Sequence, residues 1–263
     1  MLEVTALLLA LSTGLNGAPA EVEQAPAAIV AQAEQIADQI VIATTPEPEP
    51  EPEPAPEPQP EPKPDPRPPY VAPYGRVLAT CVTKTTTSAN RNTNIYLAST
   101  AINEYVVEPG AEFSFNAVVG QRTAARGYKE AGVYSGGKAD VGIGGGICQV
   151  SSTLFNAALQ SNMTITMRRA HSLPVSYLPR GLDATVSWGV QDFKFVNPYS
   201  TPVMVCTYFN PNEYTLTVSI KGREDIALGD VQVNVTQKNG TYTTTRTVDG
   251  TVNYTTTSRY GSH

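Results

Sequence analysis

The sequence is poor in the residues that build metal centres and membrane spans. It has two histidines, His171 and His263, three cysteines and one tryptophan in 263 residues. A structural zinc site of the Cys/His type needs four clustered ligands, so this supply argues against one, and we expect no metal and no other cofactor. No run of about 18 apolar residues occurs, so we expect no transmembrane helix.

Basic charge is also sparse. The first 69 residues carry 12 acidic and 2 basic side chains, and the remaining 194 carry 12 acidic and 16 basic ones. No dense Lys/Arg run occurs, which argues against a nucleic-acid partner. The mild positive charge after residue 69 suits an anionic partner, such as a peptide carboxylate or a wall polymer, or is simply scattered surface charge.

The first 20 residues have features of an export signal. An apolar run from Val4 to Leu11 is followed by the small residues Ala18-Pro19-Ala20, which is typical of the core and the cleavage end of a signal peptide. Glu3 stands where a basic residue is usual. Either the natural start lies upstream, or the run begins an amphipathic helix instead.

Composition divides the rest of the chain into four further segments. Residues 21–45 predict a short helical or disordered stalk. Residues 46–69 alternate proline with acidic residues, which predicts an extended polyproline II linker of about 75 Å at about 3.1 Å per residue. Residues 70–222 have the composition of a globular domain, and residues 223–263 form a β-rich tail.

Two helices are predicted in the globular domain. Apolar residues at helical spacing indicate the first helix over residues 91–105. These residues are Ile95, Ala98, Ile102 and Tyr105. A glycine-rich loop, Gly142–Gly146, opens the second helix, which runs from about Cys148 to Gln160.

Strand-like runs fill most of the remainder. Residues 106–141 predict short strands and turns, with Pro109-Gly110 and Gly136-Gly137 as punctuation. Six later runs are typical of strands: Thr164–Met167, Val175–Tyr177, Ala184–Val190, Phe193–Val196, Val203–Tyr208 and Tyr214–Ile220. We therefore predict an α+β fold, with few helices packed on a mainly antiparallel sheet.

The tail shows a clear hairpin pattern. Alternating runs that begin at Val231, Thr241 and Thr251 are separated by Asn239-Gly240 and Asp249-Gly250, and both dipeptides are strong hairpin signals. The tail is predicted to be a three-stranded meander. It is either a small appended β-module or an extension of the main sheet.

The odd number of cysteines leaves two arrangements open. Cys81 begins the globular domain and Cys206 lies in a predicted strand near its end, so the two could meet on neighbouring strands and leave Cys148 free. Such a bridge would stabilise the fold by roughly 5 kcal/mol through loop closure. The alternative is three reduced thiols.

One constellation has the pattern of nucleophilic catalysis. Cys148 at a helix N-terminus has a thiol that the helix dipole acidifies, and the glycines before it leave main-chain N–H groups available for an oxyanion. His171 follows as a candidate base, with Asp183 or Asp192 to orient it, an order that thiol-dependent acyl transfer uses. The structural alternative is that Cys148 is a small packing residue and His171 pins a turn. A phosphate-binding loop is excluded, because the Lys-Ser/Thr ending is absent.

A long ordered series of motifs resembles the VanW family of bacterial surface proteins. It covers about 140 residues, roughly 80–222, and its motifs run from the NRNTNI segment at residues 90–95 to the DFKFVN segment at 192–197. Between them lie PGAEFSFN (109–116), VGQRT (119–123), GYKE (127–130), GGGICQVSSTL (144–154), RAHS (169–172), YLP (177–179) and GLDATV (181–186). The resemblance implies an exported, cell-wall-associated protein whose partner is peptidoglycan or another wall polymer. Family members are often joined to peptidoglycan-binding or G5-like β-modules, and the tail is similar to these in style.

Three function hypotheses follow. The first is a thiol acyl transferase or amidase acting on peptidoglycan peptides, with Cys148 as nucleophile, His171 as general base and Asp183 as orienter. The residues assigned to its substrate site are Gly145, Gly146, Gln149, Arg122, Arg169 and Asp192. Arg122 and Arg169 would dock a substrate carboxylate. The second hypothesis is a non-catalytic wall-binding module that uses the same groove, and a purely structural surface protein is a third.

Overall fold

The computed structural model describes residues 72–135 and 138–261. Within these ranges the helices are α1 (Ala89–Ile102), α2 (Phe115–Val119) and α3 (Ile147–Gln160), with a 3-10 turn at Ala124–Arg126. The strands are β1 (Arg76–Lys84), β2 (Tyr105–Val107), β3 (Glu112–Ser114), β4 (Glu130–Ser135), β5 (Lys138–Ile143), β6 (Thr164–Met167), β7 (Lys194–Val196), β8 (Val203–Asn210), β9 (Thr215–Gly222), β10 (Val231–Lys238), β11 (Thr241–Val248) and β12 (Thr251–Arg259). The predictions for residues 1–20, 21–45 and 46–69, and for the Gly136-Gly137 turn, lie outside the described residues.

The described strands form four antiparallel sheets. Their orders are β1-β9-β8-β2, β3-β7-β6, β4-β5 and β10-β11-β12. α1 packs on β8, and α3 packs across β1 and β9, so both long helices cover one face of the largest sheet. This arrangement confirms the predicted α+β class. None of the helices in the described part of the chain is both long and apolar enough to cross a membrane.

Local capping sets the limits of α1. The Ser88 hydroxyl accepts a hydrogen bond from the main-chain N–H of Arg91, as an N-cap residue does. The helix ends at Ile102, because Asn103 is extended and Glu104 takes a left-handed conformation with φ of 60°. The prediction that the helix continues to Tyr105 is therefore wrong, and Tyr105 begins β2 instead.

The central core lies between α3 and the sheets. α3 is buried along almost its whole length, and its Phe155 ring contacts Phe193 edge-on at a centroid distance of 5.6 Å. Phe193 lies next to Phe195, which stacks on Phe113 at 4.9 Å. Full burial of such a side chain contributes about 1.5–3 kcal/mol, so this aromatic cluster fixes α3 firmly in place.

Two predicted strands are loops in the structure. Val175–Tyr177 has no strand pairing, and Ala184–Val190 contains only an isolated bridge from Ser187 to Gln191. In the second segment the main-chain groups of Ala184 bond to side chains of α3 instead of to a neighbouring strand. The apolar alternation of this segment thus reflects packing against a helix.

The expected meeting of Cys81 and Cys206 is wrong. β9 lies between their strands, with Cys81 opposite Val218 and Cys206 opposite Ser219. Two strand spacings separate the cysteines by about 9.6 Å, beyond the roughly 7 Å between Cα atoms that a disulfide allows. All three cysteines are free thiols.

The tail forms the predicted meander as a separate sheet. Both hairpin dipeptides adopt positive φ, at 49° and 73° for Asn239-Gly240 and 49° and 78° for Asp249-Gly250, as type I′ turns require. The sheet packs on the rest of the domain through individual side chains. Arg246 donates to the carbonyls of Leu159 and Met163 at the end of α3.

Candidate functional site

The loop before α3 requires glycine because neighbouring atoms leave no room for side chains there. A Cβ at Gly145 would lie 2.6 Å from the main-chain atoms of Ala131, and Gly146 has φ of 106°. Only glycine tolerates both conditions. Cys148 is the second residue of α3. The N–H groups of its neighbours Ile147 and Gln149 bond to the carbonyls of Gly144 and Gly146, whereas the N–H of Cys148 lies in the first helical turn, where donors have no intrahelical acceptor. The loop therefore presents a donor beside the Cys148 thiol.

Cys148, His171 and Asp183 come together as the sequence predicts. The Nδ1 atom of His171 lies 2.6 Å from Oδ2 of Asp183, and the same oxygen accepts the main-chain N–H of His171 at 2.6 Å. A hydrogen bond joins the His171 side chain to Cys148. Because Asp183 occupies Nδ1, Nε2 is the ring nitrogen that remains for the thiol.

Burial and neighbouring charges shift the pKa values of Cys148, His171 and Asp183. Burial acts to raise the pKa of Cys148, but the hydrogen bond and charge of His171 outweigh it and lower the pKa to about 7. Burial acts to lower the pKa of His171, yet hydrogen bonds with Asp183 and Cys148 raise it to about 9. Burial opposes ionisation of Asp183, and the bonds from His171 and Tyr260 keep its pKa below the ordinary value. Near neutral pH this favours a thiolate beside an imidazolium.

Side chains of α3 position the segment that carries Asp183. Ser151 and Ser152 donate to the carbonyl of Ala184 at 2.6 Å and 3.2 Å, and the Ala184 N–H donates back to the Ser152 hydroxyl. Asn156 holds the carbonyl of Leu182 at 2.7 Å. The motif that follows Cys148 thus fixes the distance between the nucleophile and the acid.

Asp183 is fully buried and has two further partners that the sequence analysis did not assign to the site. Arg168 approaches Oδ1 at 3.3 Å and also donates to the main-chain carbonyl of Asp183. The Tyr260 hydroxyl, from the end of the meander, donates to Oδ1 as well. Arg168 was detectable as a basic residue near His171, whereas nothing local in the sequence indicates Tyr260.

An open cleft of about 1000 Å³ adjoins the thiol. Cys148 and His171 both line it, and Cys148 is half-buried rather than sealed in the core. Trp188, 48% exposed, and Tyr177 also contribute to the lining. A substrate can thus reach the thiol from solvent.

The predicted substrate-site residues divide into two groups. Gly145, Gly146, Gln149 and Arg122 line the cleft. The Gln149 side chain is committed within the protein: Oε1 accepts from Arg91 at 3.0 Å, and Nε2 donates to Thr83 at 3.1 Å. Its assignment to the substrate site is therefore supported by its location in the cleft alone.

The structure does not bring Arg169 or Asp192 into this cleft. Arg169 is exposed and lies at a separate surface depression with Met167 and Thr257. Asp192 accepts hydrogen bonds from the Ser114 hydroxyl at 2.6 Å and the Asn116 N–H at 2.9 Å, so it caps α2. Arg91, which sequence reasoning missed, lines the cleft instead.

No cluster of three or more His, Cys, Asp or Glu side chains that could hold a metal ion occurs among the described residues. The groups that the described residues present at the cleft include a thiol and an imidazole, with a buried carboxylate behind the imidazole.

Comparison with known proteins identifies relatives of the region that holds this site. Residues 90–220 match the family described as VanW like protein. Over 116 residues the chain is 50% identical to the uncharacterized protein YoaR of Bacillus subtilis (strain 168), which covers 44% of this chain and 38% of YoaR. Over 124 residues it is 34% identical to the vancomycin B-type resistance protein VanW of Enterococcus faecalis (strain ATCC 700802 / V583), which covers 45% of this chain and 43% of that relative. The chain thus spans less than half the length of either curated relative. No solved structure matches it.

Proposed function

Since this chain belongs to the VanW-like family, we propose that it is an exported, cell-wall-associated protein that cleaves or transfers acyl groups of peptidoglycan peptides through the Cys148 thiol. The observation that most directly supports this proposal is the hydrogen-bonded series of Cys148, His171 and the buried Asp183 at an open cleft. The apolar run and the proline-rich segment near the start of the sequence support export.

The reaction follows from the geometry in two balanced steps. The Cys148 sulfur attacks the carbonyl carbon of an amide, and the carbonyl oxygen gains charge beside the main-chain N–H of Cys148. The carbon–nitrogen bond then breaks, and the imidazolium of His171 gives its proton to the leaving amine. A water or an acceptor amine attacks the resulting thioester, loses a proton to His171 and releases the thiolate.

The pH dependence of Cys148 alkylation by iodoacetamide tests this proposal. Mass spectrometry of peptides from the native chain distinguishes the three free thiols. Cys148 is expected to react with a midpoint of about pH 7. Cys206 and Cys81 are internal controls, because burial raises the pKa of both, that of Cys81 to about 11.

The variant His171→Ala should raise the Cys148 midpoint, because the hydrogen bond and charge of His171 are lost, while burial and the bonds to Val186 and Thr185 remain. Circular dichroism establishes that the variant is folded, and His171→Gln is a second variant of similar size. A Cys148 thiol that stays inert until the chain is unfolded in urea contradicts the proposal. In that case a non-catalytic wall-binding module is the better account of the cleft.

A further inference from the structure

Two arginines flank the glycine loop that leads to the nucleophile. Arg91 belongs to the first turn of α1, and its Cγ lies 3.0 Å from the position of a Cβ built on Gly146. Arg122 follows α2, and its Cβ lies 3.3 Å from a Cβ built on Gly144. Both arginines line the same cleft as Cys148. The loop is thus bordered by a cation on each side.

Among the described residues, neither guanidinium has a carboxylate partner in direct contact. Arg91 donates from Nη2 to Oε1 of Gln149 at 3.0 Å, and Arg122 donates from Nη1 to Oδ1 of Asn116 at 2.7 Å, so both bond to uncharged acceptors. Arg168, by contrast, is paired with Asp183 in the same domain.

Each guanidinium also keeps donors that nothing in the protein satisfies. Nε of Arg91 and Nη2 of Arg122 are buried without a hydrogen-bond partner, and they account for two of the three such side-chain atoms in the described part of the chain. An unsatisfied buried donor costs about as much as a lost hydrogen bond, so two at one cleft require an explanation. Acceptors supplied by a bound molecule would provide one.

An aromatic ring lies within cation–π distance of each guanidinium. The guanidinium carbon of Arg91 lies 5.9 Å from the centroid of the Tyr177 ring, and that of Arg122 lies 5.6 Å from the centroid of Phe115. A planar, oriented guanidinium is preorganised for a planar carboxylate, which it can bind through two parallel hydrogen bonds.

The cleft as a whole carries a positive balance. Besides the coupled Cys148 and His171, its lining contains Lys84, Arg91 and Arg122 as cations and Asp140 as an anion. A recess with this imbalance concentrates anionic ligands relative to neutral ones.

We propose that the cleft takes an acyl substrate with a free carboxylate, which Arg91 and Arg122 hold on either side of the glycine loop before Cys148. This inference rests on the proposed function for the presence of an acyl substrate. The binding step itself can be measured without any reaction.

The test uses the full chain with Cys148→Ala, which cannot form a thioester. The probes are N-acetyl-alanyl-alanine and its C-terminal amide, each in the L,L and the D,D form, and the affinities are measured by calorimetry. We expect at least one stereoisomer of the acid to bind about tenfold or more tightly than its amide, since a charge-assisted bidentate contact is worth about one such factor. Equal affinity of acid and amide in both forms, including no binding of either, overturns the proposal.

Variants in the same background locate the carboxylate. Arg91→Gln and Arg122→Gln should each remove most of the preference for the acid, and Arg122→Lys should restore part of it through charge alone. Lys194→Gln is the matched control, because Lys194 pairs with Glu112 and does not line the cleft. A preference that survives both arginine variants, or one that Lys194→Gln also removes, contradicts the assignment.

The Arg122 charge also favours the nearby Cys148 thiolate, so alkylation separates the two roles. If Arg122→Gln moves only the alkylation midpoint of a chain that keeps Cys148, and leaves the acid preference unchanged in the Cys148→Ala background, the carboxylate role is wrong. If the acid binds as expected while Cys148 proves unreactive, the binding site stands and the proposed reaction fails.

Discussion

The family-matched segment, residues 90–220, and the C-terminal meander, β10 to β12, contribute to the site in different ways. The first supplies Cys148, His171 and Asp183, and hydrogen bonds from α3 to residues 182 and 184 position Asp183. The second supplies single side chains to one ion pair, with Tyr260 on Asp183 and Ser258 on Arg168. The orientation of the histidine therefore depends partly on a sheet that the family match does not include.

The largest expected effect is in the first region, at Asp183. Asp183→Asn removes the buried charge that faces Arg168 and His171, which leaves two cationic groups without their counter-ion. The free energy of unfolding should fall by about 3–5 kcal/mol, the usual cost of breaking a buried pair. The midpoint of Cys148 alkylation should also rise, because His171 loses its main acceptor. Urea denaturation at pH 7 and alkylation measure the two effects.

Asp192→Asn is the matched control, since the sequence alone made both aspartates candidates. Asp192 caps α2 and does not line the cleft, so its loss should lower stability and leave the alkylation midpoint unchanged. A shifted midpoint in Asp192→Asn, or an unshifted one in Asp183→Asn, contradicts the assignment of the orienting acid.

A smaller effect is expected in the second region, at Arg246. Its side chain is 3% exposed and donates to the carbonyls of Leu159 and Met163 at the end of α3. Arg246→Met keeps the length of the side chain but leaves these acceptors without their charged donor, which should cost about 2–4 kcal/mol in urea denaturation. The pH midpoint of Cys148 alkylation should not move, because the hydrogen bonds of Arg246 in the described part of the chain involve none of Cys148, His171 and Asp183. A shifted midpoint would mean that the meander acts on the site through α3 as well.

The sequence predicts the elements whose chemistry is local. Glycines followed by small and apolar residues predict the start of α3 with an error of one residue, and Asn-Gly and Asp-Gly predict both turns of the meander. These features depend on backbone conformations that few residues adopt. The order of Cys148, His171 and Asp183 along the chain suggested the linked set, in which His171 bonds to both of the others, but it did not distinguish Asp183 from Asp192.

The errors occur where tertiary packing decides. Arg168 and Arg169 are neighbours, and adjacent side chains of an extended segment point to opposite sides, so a choice between them depends on which side is buried. Arg168 faces Asp183 and Arg169 faces solvent. Asp192 looked equivalent to Asp183 because α2 has only five residues, too few for its periodicity and its cap to be recognised.

The substitution with the smallest expected effect is at Tyr260, whose hydroxyl links the meander to Asp183. Its hydroxyl donates to Asp183 and accepts the main-chain N–H of Gly181 at 2.6 Å. Tyr260→Phe should lower the free energy of unfolding at pH 7 by about 1–2 kcal/mol, the range of a hydrogen bond to a charged group. Tyr242→Phe is the matched control in the same sheet, because Tyr242 bonds only to the exposed Arg180.

The pH dependence of the Tyr260→Phe effect on stability distinguishes the two hydrogen bonds of the Tyr260 hydroxyl, one with Asp183 and one with Gly181. The Tyr260 bond favours the ionised form of Asp183, so it lowers the folded-state pKa of that carboxyl. Stability of this kind is fully present above the ordinary pKa of 3.8 and is lost as the pH falls through the lowered value. The loss of unfolding free energy caused by Tyr260→Phe should therefore be smaller when urea denaturation is repeated near pH 3. The loss caused by Tyr242→Phe should be the same at both pH values. If Tyr260→Phe lowers the free energy of unfolding equally at both pH values, its effect comes from the hydrogen bond with Gly181. The meander would then stabilise the loop that contains Gly181 without acting on Asp183.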